Sequence, residues 1–123
     1  MDKLKNIKIL IVHYDINVLF HIECELKRIG IETQIAFNGV EAYKLLYKNE
    51  NEFDYIIINI GLPDENGVEI VKFIKNKYKS KVIIYTNKPF KDYKNKCEYD
   101  YYLQRNKYTI HDVINIIKND KKN

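Results

Sequence analysis

The sequence predicts a doubly wound α/β domain built on a parallel five-stranded sheet, and three observations predict it. Five short apolar runs are spread along the chain, segments of helical periodicity fill the gaps, and three of the runs are nearly continuous in Ile and Val. Continuous runs suit strands covered on both faces better than strands with one wet face. Short strands joined by helices pair in parallel through right-handed crossovers, so the helices cover both faces.

The runs lie at 7–12 (IKILIV), 32–37 (ETQIAF), 55–60 (YIIINI), 81–86 (KVIIYT) and 99–103 (YDYYL). In the first gap Val18, Leu19, Ile22, Leu26 and Ile29 recur at helical spacing, with Asp15 placed to cap the start and Gly30 to end the helix. Val40, Tyr43, Leu46 and Tyr47 form a second stripe, and Val68, Val71, Ile74 and Tyr78 a third. The fourth gap, 87–96, is weaker: Pro89 can open a helix, but only Phe90 and Tyr93 offer it an apolar face. The last helix carries Ile110, Val113, Ile114 and Ile117, opened by Thr109 and Asp112 in a capping arrangement.

The 123 residues fit a single domain, 1–123, with 119–123 read as a frayed basic tail. Apolar residues at 46% and charged residues at 31% argue against disorder. Cys24 and Cys97 form neither metal-ligand spacing nor a disulfide framework, which fits a reducing cytoplasm. No apolar run reaches the ~18 residues of a membrane span, and the opening residues run straight into a strand pattern with no signal peptide in view. The net charge of +4 is scattered over helix faces, with KNDKKN the one dense cluster. No recognition-helix pattern accompanies that tail, so nucleic-acid binding by this domain alone is not expected; cations at a helix C-terminus account for it.

In doubly wound sheets ligands bind beyond the C-terminal strand ends, where the winding reverses. That address contains His13, Tyr14 and Asp15, then 59–66, then Thr86 and Asn87, then 104–106. Here the sequence resembles the receiver domains of bacterial response regulators. The segment FDYIIINIGLPDENGVEI at 53–70 resembles the phosphoacceptor strand and loop, FNGVEAYKLL at 37–46 the opening of the second helix, YTN at 85–87 the strand end bearing a hydroxyl residue, and DYYLQR at 100–105 the fifth strand. The resemblance spans nearly the whole chain and implies a flavodoxin-like fold with strand order 2-1-3-4-5, a cytoplasmic signalling role in a two-component phosphorelay, and no enzymatic activity.

The resemblance also implies a set of site positions, and here the chain departs from the family. The phosphoacceptor position, normally an aspartate, is Asn59, a neutral amide and a poor nucleophile. The two acidic positions that hold Mg²⁺ are His13 and Tyr14, neither of which suits a hard cation. Thr86 keeps the hydroxyl, Arg105 stands at the lysine position, and Asn106 replaces the following proline. The switch aromatic of the fifth strand falls on Tyr102, although Tyr99 and Tyr101 crowd that strand and leave its register open. The expectation is therefore a receiver-type module with no metal and no cofactor, acting by protein contact without phosphorylation. The alternative is a phosphate switch using a substitute acceptor such as Asp64 or Asp15.

Each departure also admits a plain structural reading. Asn59 can be a hydrogen-bonded amide in a disused pocket, His13 a hydrogen-bonded loop residue, and Tyr14 a ring filling the emptied cation site. Arg105, a retained pocket residue along with Thr86 and Asp15, has three candidate outcomes: pairing with Asp15, Asp64 or Glu65, turning to solvent, or holding a small anion. The expected partner is a regulatory protein, a histidine kinase or an output domain, at the face formed by the fourth helix, fifth strand and fifth helix, where a second copy of the chain could also dock. Phe90, Tyr93, Tyr99 and Tyr101 would place aromatic rings near that face.

Overall fold

The computed structural model describes Leu4 and residues 6–122. Strands and helices alternate without exception: β1 (Lys8–Val12), α1 (Ile16–Arg28), β2 (Glu32–Ala36), α2 (Gly39–Lys48), β3 (Tyr55–Ile58), α3 (Gly67–Lys77), β4 (Lys81–Thr86), α4 (Phe90–Tyr93), β5 (Tyr101–Gln104) and α5 (Ile110–Lys122). All four strand pairings are parallel and the sheet order is β2-β1-β3-β4-β5, as expected.

Alternation of side chains along each strand divides the core in two. Ile9, Ile11, Ile57, Ile83 and Leu103 point to the layer formed by α1 and α5. Leu10, Val12, Ile56, Ile58, Val82 and Ile84 point to the layer of α2, α3 and α4. Both sides of the central strands are therefore dry, which is why their sequences run as unbroken Ile and Val.

The helix stripes fall close to the predicted positions. Leu19, Ile22 and Leu26 are buried in α1, and Asp15 caps it by accepting from the N–H groups of Asn17 and Val18 at 3.0 and 3.5 Å. Gly30 takes a φ of 89°, the left-handed conformation that ends the helix. In α2 the buried set is Gly39, Ala42 and Leu46, while Val40 and Tyr47 are more than half exposed. The predicted stripe was rotated because small Gly39 and Ala42, which pack closest, carry little apolar signal. Helix α4 is a single turn, preceded by Pro89 with no side-chain cap. Two apolar residues in ten could not support more.

At the other end of the chain, α5 runs through Lys122, and Asp120 is tied to the Tyr55 hydroxyl and, at 2.6 Å, to Lys81 Nζ. Of the frayed tail expected at 119–123, Asn123 lies outside the described residues. Among the described residues no helix is long and apolar enough to cross a membrane.

Candidate functional site

Three strand ends bring the predicted residues together. β1 delivers His13, β3 delivers Asn59 and β4 delivers Thr86, and all three are buried. The β3–α3 loop is folded back by the pairing of Gly61 with Asn66 and by the close approach of Gly67 to Ile60. A Cβ at Gly67 would lie 2.3 Å from the Ile60 Cα, so only glycine fits there. The fold places the site; these contacts set its shape.

Asn59 is the hub. Its Oδ1 accepts the Thr86 hydroxyl at 2.6 Å and the Gly61 N–H at 2.9 Å. Thr86 Oγ1 in turn accepts the Lys88 N–H at 3.2 Å. On the other side, Asn59 Nδ2 stands 3.3 Å from His13 Nε2. His13 Nδ1 accepts the Asp15 N–H at 3.0 Å, so a neutral imidazole carries its proton on Nε2. Nε2–H then faces an amide NH₂, donor against donor. Rotating the amide by a half-turn only moves the conflict to the Gly61 N–H. The cluster is short of one acceptor, which a carboxylate at position 59 would supply.

Burial holds the His13 pKa down at about 4, and the positive charge of Arg105 adds to the effect, while Asp15 opposes it. His13 is thus neutral at physiological pH. Tyr14 does not fill the site as a plug. Its ring stacks on His13 with centroids 5.2 Å apart and is half exposed at the cleft rim.

The cleft outside this cluster has a volume of about 600 Å³ and contains Thr86, Asn87, Lys88, Gly61 and Pro63 among its walls, with no carboxylate in the lining. Lys88 lies across Gly61, its Cε 3.0 Å from where a Cβ would stand. Sequence reasoning missed Lys88, since a lysine two residues past Thr86 carries no motif. A divalent cation does not fit here. One His13 nitrogen already accepts an N–H, Asn59 Oδ1 already accepts two hydrogen bonds, and a hard cation wants carboxylate oxygens. Among the described residues no group of three or more His, Cys, Asp or Glu is placed to hold a metal.

The remaining predicted residues go to separate tasks. Arg105 forms no ion pair among the described residues; its guanidinium lies 5.7 Å from the centroid of the Tyr85 ring, so pairing with Asp15, Asp64 or Glu65 is not what the fold selects. Asp15 is committed to capping α1. Asp64 accepts the N–H groups of Gly39 and Val40 at 2.8 and 3.2 Å, which hold its carboxyl below the usual range. Tyr102 pairs in register with Ile84 and faces the α2–α4 layer, fixing the fifth strand. Its hydroxyl donates to the Lys88 carbonyl at 2.8 Å, and Phe90 and Tyr99 meet its ring at edge-on angles.

A parallel sheet of this order, with its polar cluster at the ends of the first, third and fourth strands, has the flavodoxin-like arrangement, in which ligands meet the C-terminal strand ends. The response regulator receiver domain family matches residues 9–102, and the chain belongs to it. Among solved structures, the chain is similar to the receiver domain of a Francisella response regulator (26% identity, TM-score 0.83, covering 95% of this chain and 98% of that one). It is likewise similar to a CheY-like receiver protein of Methanospirillum hungatei (28%, TM-score 0.78, 94% of each chain). A third is a Thermotoga maritima response regulator in complex with Mg²⁺ and BeF (25%, TM-score 0.80, 92% and 97%).

Proposed function

We propose that this receiver domain signals by protein contact, without accepting a phosphoryl group and without catalysing a reaction. The observation that carries the reading is the pairing of Thr86 with Asn59. A receiver's hydroxyl residue reports on charge at the phosphoacceptor position; here its hydroxyl is already satisfied by the neutral amide oxygen at 2.6 Å. The amide thus holds the Thr86–Tyr102 pair in one arrangement, with Thr86 drawn toward position 59 and Tyr102 bonded to the Lys88 carbonyl. An element biased this way presents one surface until a partner shifts it.

The partner we propose is a regulatory protein of a two-component pathway, a kinase, an output domain or a second copy, at the α4–β5–α5 face. Phe90 and Tyr108 are exposed there beside Tyr102, and large aromatic rings are favoured in interface cores. Phosphorylation at Asp64 is disfavoured because its carboxylate is engaged with the first turn of α2, and among the described residues no metal-holding group adjoins it. The test is the backbone amide spectrum of the chain with acetyl phosphate and Mg²⁺. Resonances of Thr86, Lys88 and Tyr102 are expected to stay in place; a shift of all three on adding the donor overturns the reading.

A further inference from the structure

At the C-terminal end of α3, opposite the end that adjoins the cleft, three aromatic rings converge on one ammonium. Lys77 Nζ lies 4.9 Å from the centroid of Tyr47, 5.6 Å from Phe73 and 5.8 Å from Tyr78. Phe73 meets Tyr47 at 60° and Tyr78 at 77°, so the rings stand as walls around a point instead of stacking flat. The cage is half open, since Tyr47 is 55% exposed while Tyr78 is 7% exposed. The Tyr78 hydroxyl is buried without a hydrogen-bond partner among the described residues. Burial pushes the Tyr78 pKa up, and the negative charge of Glu50 adds to the effect.

We propose that this cage is a binding site for an N-methylated ammonium group, occupied in the free protein by the chain's own Lys77. Ring faces attract cations through their quadrupoles, and several rings around one point select quaternary ammonium groups. A methylated ammonium also gives up less hydration than a lysine head on entering. Lys77 is the exposed last residue of α3, so its stem can swing out without disturbing the helix. Its presence in the cage identifies the ligand chemistry and sets the competition an incoming ligand must overcome. If Lys77 only staples α3 to α2, the cage takes no ligand.

The experiment titrates the intact chain with tetramethylammonium and follows the ring protons of Tyr47, Phe73 and Tyr78 by NMR. Wild type is compared with Lys77→Ala and with Lys77→Ala carrying Tyr47→Leu, both exposed positions. Self-occupancy predicts binding about tenfold tighter in Lys77→Ala, the factor corresponding to about 1.4 kcal/mol, and a loss of that gain with Tyr47→Leu. Equal affinity in wild type and Lys77→Ala, or no ring shifts in either, overturns the proposal. Choline and an Nε-trimethyl-lysine peptide, titrated the same way, separate a free metabolite from a modified protein as the source of the headgroup. A peptide with unmodified lysine that binds as tightly as its trimethylated form also overturns the proposal.

Discussion

Acidification should destabilise this protein through His13. Folded, the imidazole has a pKa of about 4, against 6.5 for a free histidine. Between those values the unfolded chain binds a proton that the folded chain does not, so stability rises with pH across that window and is lost as pH falls through it. The interval corresponds to about 3 kcal/mol at about 1.4 kcal/mol per tenfold change in proton affinity. For a domain of this size that is a large share of a typical stability of roughly 5–15 kcal/mol. Carboxylates titrate in the same range, so the assay compares urea unfolding of wild type and His13→Gln at steps from pH 7 to pH 4. Wild type should lose about 3 kcal/mol more than the variant over that range. Parallel curves would refute a neutral, buried His13. The donor conflict adds a second arm: Asn59→Asp gives Nε2–H an acceptor, so the His13 imidazole followed by NMR should titrate above 4.

Three further outcomes follow from the same contacts. Thr86→Val removes the hydroxyl bonded to Asn59 but leaves Gly61 on the amide oxygen, and should cost about 1 kcal/mol in denaturant unfolding with the fold intact. Gly67→Ala drives a Cβ into the Ile60 backbone, and its thermal midpoint should fall by the equivalent of about 1–3 kcal/mol. Millimolar MgCl₂ should leave wild-type stability unchanged, whereas His13→Asp, Tyr14→Asp and Asn59→Asp together should make it Mg²⁺-dependent; Asn59→Asp alone should remain unphosphorylated by acetyl phosphate, as judged by intact mass.

The fold was legible because its signal is redundant. Ile56 to Ile58 and Val82 to Ile84 read as strands covered on both faces, and Asp15, Gly30 and Thr109 mark helix ends by local chemistry alone. Helix α4 was weak in the sequence and is one turn in the structure. The meeting of His13, Asn59 and Thr86 was legible as well, since strand ends in this topology converge. Their hydrogen bonds were not, because which nitrogen faces which donor depends on distances of a few tenths of an ångström. Which of its three open outcomes Arg105 takes was not legible either, because nothing in the sequence signals its approach to the aromatic face of Tyr85, one residue before Thr86. The Lys77 cage was hidden because Tyr47 and Tyr78 read as ordinary members of apolar stripes.

A neutral Asn59, flanked by His13 and Tyr14, is expected to leave no acceptor for a phosphoryl group at the strand ends. Intact mass of the wild-type chain after incubation with acetyl phosphate and Mg²⁺ tests it most directly. The mass is expected to stay unchanged; a stable adduct of one phosphoryl group, on Asp64 or any other residue, would show that the chain does accept phosphate.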